Sequence, residues 1–229
     1  MSESSPSVGE RRTNAKQQAQ AEPFVLPLWA INLIRIPLYV MSRLFWRISY
    51  SGLENIPRTG GVIIASNHQT YLDPMWMALP IRREIRYLAW SESFDWPIVG
   101  KAIGLLGAWP IQIKKADRTA IRRSRQWVKG GGAVVIFPEG GRCQPDGALL
   151  PFEAGAARMA LESNVPILPI TIRGGHRAWP KGSRLPRLGK KVELVYHPLQ
   201  HVAVGEGEDA RQASRRETDR LAATIGGAL

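Results

Sequence analysis

The chain has 229 residues and a single cysteine, Cys143, which excludes an intramolecular disulfide framework and a cysteine-rich zinc site. Hydrophobic residues make up 44% and charged residues 22% of the chain, a composition that excludes global disorder. The net charge of +12 predicts an anionic partner, such as nucleic acid, anionic lipid or a phosphorylated or acidic substrate.

Charge does not choose among these partners, but the aromatic residues do. The sequence has no nucleic-acid recognition motif, and its eight tryptophans outnumber the five phenylalanines and five tyrosines. Tryptophan is favoured where one side of a surface is apolar and the other is wet, as at a membrane interface. We therefore expect a membrane partner and no nucleic acid, and keep a nucleic-acid binder as a rival that rests on charge alone.

The first 50 residues divide into two segments. Residues 1–22 are polar and without periodicity, which predicts a disordered tail, and they lack the layout of a secretory signal peptide. Residues 23–50 are apolar and aromatic, but the uncharged run 23–34 is too short to span a membrane, and we expect Pro27 and Pro37 to interrupt it.

From Ile34 onward, arginines recur at Arg35, Arg43 and Arg47, which predicts one basic face on a helix. The opposite face is apolar and aromatic. This pattern is typical of a helix that lies in the headgroup plane with its arginines toward anionic lipid. The alternative is a helix packed on the protein's own core with solvated arginines.

From residue 48 onward the chain alternates between short apolar strands and helical stretches, which predicts an α/β domain over residues 51–229: a mixed sheet flanked by helices. The predicted strands are 48–52, 61–66, 85–90, 109–113, 133–137, 166–172 and 191–196. The predicted helices are 74–80, 96–106, 117–129, 154–163 and 209–225. Long loops rich in glycine and proline, at 138–151 and 173–189, are candidate functional segments.

A histidine and an aspartate follow the strand 61–66. His68 lies at the strand's end, where α/β sheets place their ligands, and Pro74 makes Asp73 a natural N-cap of the next helix. A tight loop brings the Asp73 carboxylate onto one imidazole nitrogen and leaves the other nitrogen as a base. From this spacing alone, the alternatives remain open that Asp73 is only a helix cap and that His68 only satisfies a loop hydrogen bond.

A second cluster follows the strand 133–137. Glycines at 140 and 141 let the backbone approach an anion, and Arg142 matches a phosphate with two parallel hydrogen bonds. The spacing is not that of a nucleotide-binding P-loop. The alternative is a turn with a solvated arginine.

Taken together, these blocks resemble the glycerolipid acyltransferase family, and most closely its 1-acylglycerol-3-phosphate acyltransferases. The resemblance covers roughly residues 50–200. The blocks that carry it, in order, are the His-x4-Asp of residues 68–73, the Phe-Pro-Glu-Gly-Gly-Arg of residues 137–142 and the Val-Pro-Ile-Leu-Pro of residues 165–169.

The resemblance implies that His68 is the general base and Asp73 its orienting partner, and that no acyl-enzyme forms. The acyl donor would be acyl-CoA or acyl-carrier protein, used as a co-substrate, and neither a cofactor nor a metal is expected. The acceptor would be a lysophospholipid. The residues expected to bind substrate are Asn67, Lys114, Lys115, Glu139, Gly140, Gly141, Arg142 and Pro166.

Three departures from the family pattern bear on the acceptor. Gly141 stands where threonine is common, Cys143 where serine is common, and the second block lacks its arginine. Lys114 and Lys115 lie just beyond that block, and lysines replace an arginine as point charges but not as a fork. The acceptor can therefore differ from lysophosphatidic acid.

Other candidate residues are weaker. A covalent route through Cys143 is conceivable because a thiol beside an arginine can be activated. His176 is a backup base on a long loop, and His197 and His201 are expected to be structural or at the surface. The basic blocks 114–129 and 173–191 suit headgroups, coenzyme A phosphates or acidic acyl-carrier protein.

The sequence thus predicts a membrane-associated acyltransferase on the cytoplasmic face of the cell membrane, with membrane phospholipids as partners. The main prediction is that 1-acylglycerol 3-phosphate is the acyl acceptor. Its rivals are another lysolipid or an aminolipid acceptor, and a non-catalytic lipid-binding protein.

Overall fold

The computed structural model describes residues 24–112 and 117–229, so the predicted tail 1–22 and the predicted contacts Lys114 and Lys115 lie outside the described residues. Within them, seven strands form one sheet. The strands are β1 (Ser49–Ser51), β2 (Val62–Ser66), β3 (Ile85–Trp90), β4 (Ala108–Ile111), β5 (Ala133–Ile136), β6 (Ile167–Arg173) and β7 (Glu193–Tyr196).

Helices separate most of the strands. They are α1 (Leu28–Trp46), α2 (Asp73–Ala78), α3 (Val99–Leu105), α4 (Arg118–Lys129), α5 (Gly155–Ser163), α6 (Gly175–Ala178) and α7 (Ala210–Gly226). Two short 3-10 helices cover Leu53–Asn55 and Ser91–Asp95. The predicted strands and helices are confirmed to within a few residues at each end, whereas the 3-10 helices and α6 were not predicted because they are too short to show a period.

The sheet has the order β1-β7-β6-β2-β5-β3-β4. Neighbouring strands are parallel except β6 and β7, which are antiparallel. The predicted mixed sheet flanked by helices is therefore confirmed. Strand β2 lies near the centre, between β6 and β5, and all five of its residues are buried, as expected for a strand covered on both faces.

Alternate residues of β2 enter two different cores. Val62 and Ile64 join a cluster that contains Trp46 of α1 and Trp76 of α2. Ile63 and Ala65 join the cluster on the other face, which α4, α5 and α7 complete. Because successive side chains of a strand point to opposite faces, one central strand holds both layers together.

The predicted helix 96–106 begins late. Pro97 and Ile98 precede it, and Ile98 has a φ of 62°, a left-handed conformation that a β-branched residue rarely adopts. Helix α3 therefore begins at Val99, and residues 91–95 form the preceding 3-10 turn instead.

Helix α1 corrects the prediction that prolines interrupt the N-terminal segment. The helix starts at Leu28, directly after Pro27, and continues through Pro37 to Trp46. Pro27 lies at the N-cap, where its missing N–H costs nothing, and the side of the helix that carries Pro37 is exposed. By length and composition, α1 is able to cross a membrane.

Of the three arginines in this segment, Arg43 and Arg47 are exposed and Arg35 is half-buried. Arg35 donates to the Asn32 side chain, Arg43 donates to the carbonyl of Ile48, and Arg47 is the left-handed residue that ends the helix. The predicted boundary at residue 50 falls inside β1, which pairs with β7. The end of the N-terminal segment is thus part of the sheet.

Candidate active site

His68 lies at the carboxyl edge of the sheet. It belongs to the loop that joins β2 to α2, and the neighbouring parallel strand β5 ends in the loop that carries the second cluster. The register pairs Ala65 with Ile136, so Phe137 and the residues after it emerge beside the histidine. Adjacent parallel strands therefore bring the two predicted clusters together, as expected for this class of sheet.

The His68 ring is oriented by a buried carboxylate. Its Nδ1 lies 2.9 Å from Oδ2 of Asp73, a residue with no exposed surface. The same Oδ2 accepts the backbone N–H groups of Gln69 at 2.5 Å and Thr70 at 2.7 Å. The hydroxyl of Thr70 donates to Oδ1 at 2.9 Å. With Nδ1–H donating to the carboxylate, Nε2 is the nitrogen that is able to take a proton.

The predicted N-cap role of Asp73 is wrong. Helix α2 begins at Asp73 itself, Leu72 occupies the N-cap position, and no side chain caps the helix. The carboxylate turns back to the loop because three donors and the imidazole converge on it there. Those contacts satisfy a buried charge better than the single amide of a cap would.

Phe137 packs against one face of the imidazole. The two rings are stacked, with centroids 4.2 Å apart and planes inclined by 23°. Phe137 begins the block of residues 137–142, but no local pattern predicts this contact. Together with the hydrogen bond to Asp73, the stacking restricts the ring to one orientation, as a positioned base requires.

Glu139 braces the histidine loop. Its Oε1 accepts the backbone N–H of His68 at 2.7 Å, and its Oε2 accepts that of Leu150 at 2.7 Å. Burial raises the pKa of Glu139, and the two amide hydrogen bonds oppose that rise. The structure thus places this predicted substrate contact inside the loop scaffold, where it ties the 150 region to His68.

The glycines of the second cluster make a turn at the surface. Gly140 has a φ of 63°, a conformation suited to glycine, and a side chain at either Gly140 or Gly141 would meet no neighbouring atom within 4 Å. Arg142 follows, half-buried, with its guanidinium over the ring of Tyr71. These three predicted residues lie together in one loop, with open space beside the two glycines, while Nη1 of Arg142 is buried and has no hydrogen-bond partner.

Asn67 and Pro166 do not offer a surface to a substrate beside His68. The Asn67 amide is fully buried and exchanges two hydrogen bonds with the backbone of Ile172, at 2.9 and 2.7 Å. It therefore anchors the loop to β6 and offers a substrate no surface. Pro166 precedes β6 beside Ile63, at the opposite edge of the sheet from His68, roughly 16 Å away along the strand. It does not line the site that contains His68.

Cys143 is built into the same loop. Its backbone N–H donates to the carbonyl of His68 at 2.7 Å, while its side chain is buried. Burial, with smaller contributions from Glu139 and Asp73, raises the pKa of the Cys143 thiol to about 11. A thiol in this state is protonated at neutral pH, which disfavours the covalent route.

A cavity adjoins the histidine loop, and His176 lines it. This cavity of about 530 Å³ is lined by Gln69, His176, Arg173 and Arg177 among others. Burial and then Arg177 lower the pKa of His176. His197 bonds the hydroxyl of Thr171 at 2.9 Å.

Among the residues that the structure describes, no group of three or more His, Cys, Asp or Glu is arranged to hold a metal ion.

An α/β sheet with a carboxylate-oriented histidine and a glycine-arginine loop at its carboxyl edge is the arrangement that the sequence predicts for an acyltransferase. Residues 47–173 match the Acyltransferase family, and the chain belongs to that family. The expected family resemblance is confirmed.

Individual relatives agree with this assignment. The chain is 32% identical over 177 residues to the 1-acyl-sn-glycerol-3-phosphate acyltransferase BAT2, chloroplastic, of Brassica napus, across 76% of this chain and 48% of the relative. It is 31% identical to the 1-acyl-sn-glycerol-3-phosphate acyltransferase of Pseudomonas aeruginosa, across 72% of this chain and 63% of the relative. The chain thus spans about half to two thirds of the length of these relatives.

A solved structure is similar as well. The fold matches the crystal structure of the 1-acyl-sn-glycerophosphate (LPA) acyltransferase PlsC from Thermotoga maritima with a TM-score of 0.65 and 28% identity. The match covers 86% of this chain and 80% of that one.

Proposed function

We propose that the protein transfers a fatty acyl group from acyl-CoA or acyl-carrier protein to the free hydroxyl of 1-acylglycerol 3-phosphate, giving phosphatidic acid. The observation that carries the proposal is the His68–Asp73 pair, 2.9 Å apart at the carboxyl edge of the sheet. The relatives from Brassica napus and Pseudomonas aeruginosa, which are 1-acyl-sn-glycerol-3-phosphate acyltransferases by name, support this acceptor.

The proposed step needs only one positioned base. The acceptor hydroxyl oxygen attacks the thioester carbonyl carbon while Nε2 of His68 takes the hydroxyl proton. The tetrahedral intermediate then collapses, the carbon–sulfur bond breaks, and the same proton passes to the departing thiolate. Asp73 stabilises the imidazolium that forms between these events. No acyl-enzyme is required, which agrees with the protonated state of Cys143.

Acceptor recognition is assigned to the loop after β5. The open turn at Gly140 and Gly141 leaves room for a phosphate, and Arg142 supplies a charged fork for it. The N–H of Cys143 donates to the carbonyl of His68. Arg142 is the residue before Cys143, so it lies next to this link to the proposed base. In this arrangement the headgroup and the hydroxyl are held by two loops that are bonded to each other.

Membrane attachment is assigned to α1 and the segment beside it. Leu33, Ile36 and Leu44 of α1 are exposed, as expected for a face that contacts lipid. The N–H of Leu26 donates to the carbonyl of Leu105 at 2.9 Å, which ties the start of α1 to the end of α3. Ile98, before α3, is 83% exposed, so a second apolar element adjoins the first.

The acyl donor is assigned to the basic side of the molecule. Coenzyme A and acyl-carrier protein are both anionic, and both are found in the cytoplasm, so we place the protein on the cytoplasmic face of the membrane. Arg177, Arg184 and Arg187, in the basic block 173–191, are exposed. Such a one-signed surface attracts an acidic donor and anionic headgroups alike.

The test is a transfer assay with the purified protein, a labelled acyl-CoA or acyl-carrier protein, and a panel of lysolipids, with the products resolved by mass. We expect labelled phosphatidic acid to exceed every other product. A larger signal with another lysolipid or an aminolipid would replace the acceptor. Vesicle binding without any transfer would identify a non-catalytic lipid-binding protein instead.

A further inference from the structure

Tyr71 and Arg142 are in direct contact across two loops. The Arg142 guanidinium carbon lies 3.9 Å from the centroid of the Tyr71 ring, and Nη2 donates to the Tyr71 hydroxyl at 3.1 Å. Tyr71 belongs to the histidine loop and Arg142 to the glycine loop. The pair therefore connects the proposed acceptor site to the histidine loop by a further route, besides Glu139 and the N–H of Cys143.

The tyrosine ring is itself held in place. Trp96 contacts it edge-on at 5.9 Å and 75°, and Trp179 does so at 5.5 Å and 74°. Edge-to-face packing on two sides restricts the orientation of the Tyr71 ring, although the residue is exposed. Three segments that are distant in sequence thus build one aromatic platform, and Arg142 lies on its face.

This platform holds the arginine without neutralising it. Among the residues that the structure describes, no carboxylate forms an ion pair with Arg142. The Lys181 ammonium donates to the main-chain carbonyl of Arg142 at 3.0 Å, which adds positive charge to the same loop. A carboxylate partner would compete with a phosphate for the guanidinium, whereas an aromatic ring orients the cation and leaves its charge available.

We propose that Tyr71 is a positioning residue that presents the Arg142 guanidinium to the phosphate of the acceptor. This inference rests on the proposed function, because it assumes a phosphate-bearing acceptor at Arg142. Tyr71 touches no reacting atom in this scheme, so its substitution affects acceptor affinity and leaves the chemical step intact. The hydroxyl contributes one hydrogen bond, and the ring contributes the larger surface.

The first test separates KM from kcat. Tyr71→Ala is expected to raise the apparent KM for lysophosphatidate about tenfold, within the range of one cation–π contact and one hydrogen bond. The kcat and the donor KM are expected to stay within about twofold of the unsubstituted protein, because the base is untouched. Tyr71→Phe keeps the ring and should lose no more than about threefold. Trp90→Ala is the control, since this exposed aromatic residue lies at the end of β3, outside the pair of Tyr71 and Arg142.

A double-variant cycle tests whether Tyr71 acts through Arg142. In an Arg142→Gln background, adding Tyr71→Ala should change the acceptor KM by less than about twofold, since nothing is left to position. The same tenfold loss in both backgrounds would overturn the proposal. So would a fall in kcat with both KM values unchanged, which indicates general support of the loop.

A binding measurement distinguishes failure of this inference from failure of the proposed function. Calorimetric titration with lysophosphatidate in detergent micelles needs no turnover. If no acyl transfer is found but Tyr71→Ala and Arg142→Gln weaken this binding together and not additively, the proposed function fails and the positioning role stands. Unchanged binding by Tyr71→Ala overturns the positioning role whatever the activity.

Discussion

The carboxylate of Glu139 binds the backbone N–H of His68 at 2.7 Å, although 71 positions separate the two residues in the chain. The other carboxylate oxygen binds the N–H of Leu150 at 2.7 Å. A single buried side chain therefore joins the histidine loop to both ends of the segment that contains Arg142.

Glu139→Gln tests this brace. A glutamine has one acceptor oxygen where the carboxylate has two, so one of the two amides must lose its partner, at a cost of about 1–3 kcal/mol. Because burial raises the pKa of Glu139, removal of the charge offsets part of that cost. We expect a modest fall in melting temperature and a fall in kcat of about tenfold or more from the displaced base. Unchanged kcat with lowered stability would show that the brace serves folding alone.

His68→Ala tests the proposed base. Loss of general-base catalysis is expected to reduce kcat by about 10²–10⁴-fold while the protein still folds, since the side chain lies in a loop. Asp73→Asn should also reduce kcat, and should reduce stability too, because Oδ2 holds two backbone amides. His201→Ala, at an exposed histidine, is the control and should leave both properties unchanged. Near-normal turnover by His68→Ala would refute the mechanism.

Arg142→Lys tests the phosphate fork. Lysine keeps the charge but cannot make two parallel hydrogen bonds to one phosphate. We expect a rise in the acceptor KM of about tenfold and little change in the donor KM, measured by varying each substrate in turn. An effect confined to the donor KM would move Arg142 to the coenzyme site.

Cys143→Ala tests the absence of an acyl-enzyme. The thiol is buried and its pKa is raised to about 11, so we expect the variant to keep its kcat within about threefold. Iodoacetamide at pH 8 should alkylate the native protein slowly and the unfolded protein rapidly. A burst of thioester-linked acyl-protein in the native protein, absent from Cys143→Ala, would establish the covalent route.

The outer face of α1 is tested by substitution, because deletion would remove part of the core. Trp46 packs in the cluster of Trp76, and residues 49–51 form β1. Leu33→Asp and Leu44→Asp should each weaken binding to phosphatidylglycerol vesicles about tenfold or more in a sedimentation assay. Val204→Asp, which places the same charge at an exposed residue outside α1, should bind normally. Unchanged binding of the α1 variants, with full release by salt, would reduce attachment to surface charge.

The order of strands and helices was predictable from the sequence, and so was the position of His68. Apolar runs of strand length alternate with helical periods, and a histidine directly after such a run must lie at the edge of a sheet. The pairing of His68 with Asp73 was also predictable, because only four residues separate them and a tight loop brings them into contact. What local patterns misjudged was the continuity of α1 through Pro37 and the capping role of Asp73.

Contacts between distant parts of the chain were decided only by the tertiary structure. Parallel pairing of β2 with β5 places Phe137, Glu139 and Arg142 beside the histidine loop, and pairing of β2 with β6 buries Asn67. The same register places Pro166 at the far edge of the sheet. No local pattern encodes the order of the strands within the sheet, because that order follows from how the two cores pack on its two faces. The sequence therefore identified His68 and Asp73 as a pair, while packing determined which side chains hold them and the neighbouring arginine in place.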